Sequence, residues 1–176
     1  MTAEPPRGEP AAKPAQDPES RVKDAQALVR RHALMAAGVG VLPLPLLDFL
    51  GISLLQIKML RELAARYDVA FSEQVAKKII AALVAGLGSA GLGFALAGSL
   101  AKFVPLIGAN LGALSVPVVA GAFTLATGRV FIAHFESGGT VLNFDPQAIR
   151  AHFRDEFERA RQGVTQLHAE PDPRRP

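Results

Sequence analysis

The stretch "GLGSAGLG" at residues 86–93 holds a literal G-x-G-x-x-G in Gly86, Gly88 and Gly91. In a dinucleotide-binding turn that spacing lets a pyrophosphate approach the backbone. Such a turn needs a strand of β-branched residues before it, a helix after it, and an Asp or Glu about 20 residues further on. Here the preceding "AKKIIAALVA" reads as helix, and no acidic residue occurs between Gln74 and Phe135. The glycines therefore call for another explanation. A P-loop pattern, G-x-x-x-x-G-K-[ST], is absent, so nucleotide hydrolysis by that route is not expected.

The same acid-free stretch carries only four fixed charges, Lys77, Lys78, Lys102 and Arg129. Ile79–Ala101 is 23 residues without a charge and Phe103–Gly128 another 26. As helices, both are long enough for the roughly 30 Å hydrocarbon core at about 1.5 Å per residue. In lipid, helices associate through close backbone approach rather than through a hydrophobic drive, and small residues four apart supply the groove. Ala82, Gly86 and Ala90 form one such row, Gly93, Ala97 and Ala101 a second, and Gly108 with Gly112 a G-x-x-x-G in the other block. Gly86, Gly93, Gly108 and Gly112 are thus the candidate helix-packing residues. The rows suit first the packing that a hairpin already needs and second a self-association face, which makes a homo-oligomer a candidate assembly.

A competing reading stays open. Twelve of the 23 residues in the first block are Gly or Ala, which enter bilayers less readily than Leu or Ile. A buried hairpin in a conditionally inserting, membrane-perturbing protein meets the same pattern. In either case "AKFVPLIG" (101–108) is a short connection, so both outer ends of the hairpin lie on one side. That side carries Lys77, Lys78 and Arg129 against Lys102 alone, and the positive-inside rule makes it cytoplasmic. The expected address is a bacterial inner membrane, multi-pass, with both termini cytoplasmic.

Around the hairpin the pattern is amphipathic. Residues 1–19 hold five prolines and almost no large apolar residue, so they read as a disordered tail without the apolar run of a signal peptide. A helix is expected at 21–37, with Ala25, Val29, Ala33 and Ala36 on one face. Pro43 and Pro45 break the helical pattern beyond it. A second helix is expected at 46–67, with Ile57, Leu60, Leu63 and Tyr67 inward and Glu62 and Arg66 spaced for an i, i+4 pair. Ser72 is the candidate cap of a helix entering the first limb, 79–101; the second limb, 104–128, extends to 135, where Arg129 can snorkel to the headgroups and Phe131 and Phe135 sit near the interface. Ser137, Gly138 and Gly139 read as a helix stop, with an anion-binding nest as the rarer alternative. Asp145 and Pro146 open a last helix at 146–162, with Ile149, Phe153, Phe157 and Ala160 as its stripe, docking on the N-terminal amphipathic pair or on a partner. Residues 163–176 read as a flexible tail. The whole is an all-α, membrane-associated protein, one helical domain at 20–162 with a Gly/Ala-rich transmembrane hairpin flanked by amphipathic helices.

Chemistry is sparse. With no cysteine and four histidines far apart, neither a disulfide nor a metal site is expected. No paired carboxylates and no nucleophile with a base stand at usable spacing, so no enzyme and no cofactor are expected. The net charge of +3 is spread among interleaved acids and bases, which argues against nucleic acid. Asp48, Arg129, His134 and Glu136 are the candidate ion-pair or partner contacts; Asp48 at a helix N-terminus suits the dipole or an ion pair with Arg30 or Arg31.

Three ordered strings, "PLPLLD" (43–48), "QIKML" (56–60) and "GRVFIAHFESGG" (128–139), within residues 25–155, resemble the bacterial domain-of-unknown-function 697 family, which includes the YcjF-like inner-membrane proteins. The resemblance implies two membrane helices and a partnership with Era-like small GTPases, to which many members are fused or near which they are encoded. This chain has no GTPase domain of its own, so the implied role is a scaffold or anchor whose cytoplasmic helices recruit or regulate a small GTPase in trans, or another peripheral partner, at the lipid bilayer.

Overall fold

A helix with no polar face must be buried on all sides or surrounded by lipid, and Gly108–Glu136 is such a helix. The computed structural model describes residues 17–39, 45–88 and 108–169, with side-chain surroundings given over 17–38, 51–88 and 117–163. Among them are five helices and no strand: α1 (Pro18–Val39), α2 (Pro45–Arg66), α3 (Glu73–Gly86), α4 (Gly108–Glu136) and α5 (Arg150–Ala169). The all-helical reading holds. α4 is the hub, in contact with α1, α2 and α5, its most extensive contact being with α1.

α1 runs antiparallel to α4: Arg21 meets Glu136 at one end and Ala33 and Ala37 meet Gly121 near the other. The two helices are pressed together where α4 has no side chains. An added Cβ at Gly128 would fall within the side chain of Val29. At Gly121 it would lie 3.5 Å from the Ala33 carbonyl oxygen and 3.6 Å from Ala37 Cβ. Seven residues apart, these glycines share one face of α4, and the α1 residues opposite them recur every four.

α2 runs parallel to α4, with Gln56 beside Thr124 and Tyr67 beside Phe135. Ile57, Leu60, Leu63 and Ala64 fill the space between. Gln56 Nε2 donates to Thr124 Oγ1 at 2.7 Å, and that hydroxyl donates to the Ala120 carbonyl at 2.8 Å. α3 starts with Ser72 Oγ accepting from the Val75 amide at 3.5 Å, and buries Ala76, Ile79, Ile80 and Leu83. α5 docks chiefly on α4 rather than on the N-terminal pair, Phe153 standing edge-on to Phe123 with centroids 5.7 Å apart. It begins at Arg150, later than its proline suggests: the Asp145 carboxylate accepts from the Gln147 amide at 2.8 Å, and residues 146–149 form a turn.

Several expectations change here. Of the described helices, only α4 holds a segment long and apolar enough to cross a membrane, Pro117–Glu136, and 67% of an 18-residue stretch of it is buried inside the bundle. The C-terminal part of the expected second limb is therefore a core helix, because the small apolar surface that packs well in lipid packs equally well against protein. Phe131 and Phe135 lie in that core rather than at an interface, Phe131 stacked on Phe144 at 4.2 Å. The first limb is described only as far as Gly88; the rest of it, residue 93 included, lies outside the described residues. Glu62 pairs with Arg31 and Lys58, and Arg66 with Asp24, in place of the Glu62–Arg66 pair.

The helix ends that bound residues 40–44 and 89–107 lie at one end of the bundle. α1 finishes two residues past Ala37, α2 begins at Pro45, α3 finishes at Gly86, and α4 continues 13 residues N-terminal of Gly121, about 20 Å at 1.5 Å per residue.

If the α1–α4 approach organises the bundle, Gly128→Ala lowers its stability by about 1–3 kcal/mol, the usual effect of an overpacked core. Val29→Ala in the same chain then recovers part of the loss, so the double variant is more stable than the two single effects summed. Denaturant unfolding followed by circular dichroism reads both; strict additivity would mean that the contact carries no weight.

Candidate functional site

Three of the four candidate contact residues, Arg129, His134 and Glu136, lie on α4, where they engage neighbouring helices and the loop that follows. At the C-terminus of α4, Gly138 adopts φ +82°, which glycine accepts without strain. Its amide donates to the Phe135 carbonyl at 3.0 Å, and the Gly139 amide to the His134 carbonyl at 2.9 Å. This is a Schellman ending. Both amides are spent on helix carbonyls, so the S-G-G trio is a stop and not an anion nest. A Cβ at Gly139 would fall within the His134 ring, which explains the second glycine. His134 Nε2 lies 3.0 Å from the Thr140 carbonyl and 3.1 Å from Asn143 Oδ1. Both are acceptors, so that nitrogen carries a proton and donates. Asn143 Oδ1 also accepts from the Thr140 amide at 2.7 Å, and Phe144 meets the His134 ring edge-on at 5.0 Å. The histidine thus fastens the 139–144 loop onto the helix.

One turn away, both Glu136 oxygens accept from Arg21 at 3.3 Å. The Arg21 guanidinium stands 4.9 Å from the centroid of Tyr67, placing a cation over its ring. The Tyr67 hydroxyl is buried beside this pair without a well-formed hydrogen bond. Burial first, and then the neighbouring Glu136 carboxylate, push its ionisation well above the ordinary tyrosine range. Three helices meet at this cluster.

Arg129 reaches α5 rather than lipid headgroups. It donates to Glu156 at 3.2 Å while Arg159 donates to the other oxygen at 2.7 Å, leaving the Glu156 side chain 12% exposed. On α1, His32 is fully buried, its Nδ1 3.0 Å from the Leu28 carbonyl and its Nε2 3.9 Å from Glu62. Arg31, one of the two expected partners of Asp48, pairs with Glu62 at 2.9 Å. Asp48 stands in the first turn of α2, and its side chain lies outside the described residues.

The glycine rows fare differently from one another. Gly86 is buried, but its neighbours are Arg150 and Arg154 of α5: its carbonyl accepts from Arg154 at 3.1 Å, and a Cβ would sit 3.6 Å from Arg150. That is ordinary contact distance, not the closest packing expected of it. Gly108 and Gly112 lie in the first turns of α4 with surroundings outside the described residues, and Gly93 lies outside them altogether. The close-packing glycine against α1 is Gly128, which rows of small residues four apart pass over; Gly121, one face-repeat away, meets α1 at ordinary contact distance.

Among the described residues no group of three or more His, Asp or Glu is placed to hold a metal. A surface depression of about 490 Å³ follows the outer face of α1, lined by Lys23, Gln26, Ala27, Arg30, Arg31 and Leu34 and open to solvent.

Residues 17–162 match the family described as "Domain of unknown function (DUF697)". Over 150 residues the chain is 36% identical to "Magnetosome membrane protein 22" of Magnetospirillum gryphiswaldense, an alignment spanning 85% of this chain and 77% of that protein. No solved structure matches. The chain belongs to the DUF697 family.

Tyr67 is the only tyrosine, and there is no tryptophan, so its ionisation can be followed by ultraviolet absorbance alone. In the folded protein it titrates well above 10 and in denaturant near 10. Since the folded state holds this proton more tightly, stability falls as pH rises past the unfolded value of about 10. Glu136→Gln removes the adjacent charge and brings the folded titration down; a folded wild-type titration near 10 would contradict the cluster.

Proposed function

We propose that this DUF697 chain is a non-enzymatic membrane anchor, a charged helical bundle fixed to the bilayer by an apolar hairpin drawn from residues 87–116. The single observation behind this reading is that the described helices use the apolar surface of 79–86 and 117–136 within the bundle, while the 30 residues between hold one charge, Lys102. Two limbs of about 15 residues reach about 22 Å, most of the roughly 30 Å hydrocarbon core. Both limbs return to the bundle, so the bundle and both termini stand on one side. The excess of Lys77, Lys78 and Arg129 over Lys102 favours the cytoplasm. The magnetosome relative, named as a membrane protein, supports the same assignment.

A bundle on a membrane tether suits recruitment. Its outer faces are charged and end in ion pairs between helices, leaving broad polar surfaces for a peripheral protein. The family resemblance makes an Era-like small GTPase acting in trans the candidate partner. The burial of Pro117–Glu136 weighs against the alternative of a helix pair that perturbs membranes by inserting both long limbs, since that insertion would first dismantle the core.

Alkaline carbonate extraction tests the anchor. The wild-type chain is expected to stay with the membrane pellet, and Ala97→Asp with Leu111→Asp to move it to the soluble fraction with its helical circular dichroism kept, each carboxylate opposing insertion by about 2.5–3.5 kcal/mol at a helix centre. Release of the wild-type chain would overturn the reading. Crosslinking in intact cells tests the partner: recovery of a small GTPase supports recruitment, and self-crosslinks alone favour an oligomer.

A further inference from the structure

The two ends of the bundle differ in charge, and the difference coincides with the direction in which the chain leaves it. At the end where α1 and α3 finish and α2 begins, the fixed charges on residues 30–39, 45–62, 80–86, 108–121 and 150–154 are Arg30, Arg31, Lys58, Arg61, Arg150 and Arg154 against Asp48 and Glu62. Glu62, level with Arg31, engages Arg31 and Lys58, but Arg30 makes no ion pair with any described side chain. At the opposite end Asp17, Glu19, Asp68 and Glu136 mix with the bases.

Of the four exposed large apolar side chains among the described residues, Leu34, Met35 and Leu54 are on α1 and α2 and Leu142 is in the loop after α4. Leu34 is 75% exposed and Leu54 64%, on the outer faces of α1 and α2. The pairs Asp24–Arg66 and Arg31–Glu62 fix the register of those helices, and continuing it sets Leu34 near Lys58 and Leu54 near Gly38. A lone exposed leucine needs no explanation. Two leucines beside an excess of cations, at the end from which a nearly charge-free segment departs, have the composition of a surface that enters a headgroup layer, with apolar tips at the acyl boundary and cations at the phosphates.

We infer that this end of the bundle lies directly against an anionic lipid surface, Leu34 and Leu54 reaching the acyl boundary and Arg30, Lys58 and Arg150 facing lipid phosphates. The inference rests on the membrane-anchor reading and adds to it an orientation and a lipid class: the bundle stands on the bilayer by its basic end instead of hanging from a free tether. Charge complementarity and the position of the helix ends that bound residues 89–107 favour lipid over a protein partner for this face.

The chain has no cysteine, so single cysteines at positions 34, 54 and 142 can carry an environment-sensitive fluorophore on the full-length protein. Leu142 is the control: it is as exposed as Leu54 but sits in the loop fastened to His134, toward the other end. In phosphatidylcholine vesicles containing phosphatidylglycerol, the probes on Leu34→Cys and Leu54→Cys are expected to shift to the blue and to be quenched by brominated lipid, and the probe on Leu142→Cys to do neither. Arg30→Glu with Lys58→Glu is expected to reverse the shift at 34 while the protein stays with the vesicles. Protein that floats with the vesicles while probes 34 and 54 stay water-exposed would overturn the orientation and leave the anchor standing. Protein that does not float would overturn both.

Discussion

The bundle depends on how closely α1 approaches α4 at Gly128. α4 has no polar face to turn to water, so its stability comes from neighbours that cover it, and α1 lies as close as it does because the position opposite Val29 lacks a side chain. With α1 in place, α2 and α5 complete the enclosure, and the buried Thr124 hydroxyl bridges Gln56 of α2 and the Ala120 carbonyl of α4. The ion pairs Arg21–Glu136 and Arg129–Glu156 then close the periphery. Being partly exposed, such pairs add little to stability; their role is to select the register that the close approach permits.

What is legible in the sequence is whatever depends on local periodicity. The inward residues of α1 and α2, such as Ala25, Val29, Ile57, Leu60 and Leu63, recur with the helical repeat and are buried. Ser72 as a cap and Gly138 as a stop follow from short-range backbone chemistry. Partner choice is not legible. Arg21 and Glu136 are 115 residues apart, and nothing near either names the other. Arg129 and the Phe131–Phe135 run read as a lipid interface because an apolar helix next to a cation has the same composition whether lipid or protein covers it.

The glycines show the same limit from another side. Gly86 belongs to a G-x-G-x-x-G and to a row of small residues, yet its surroundings are two arginine side chains at ordinary distance. Gly128 belongs to neither pattern and sits where no Cβ fits. Spacing tells which residues share a face; it does not tell which neighbouring helix will occupy that face, because this depends on chain elements about 100 residues away.

That contact also constrains how the sequence can vary. Positions 29 and 128, though distant in the chain, behave as one site with a fixed volume to divide. A β-branched residue at 29 requires glycine at 128, and a side chain gained at 128 requires one lost at 29. Two relatives can differ at both positions and keep the same bundle, whereas a chimera taking α1 from one and α4 from the other would inherit either a collision or a void.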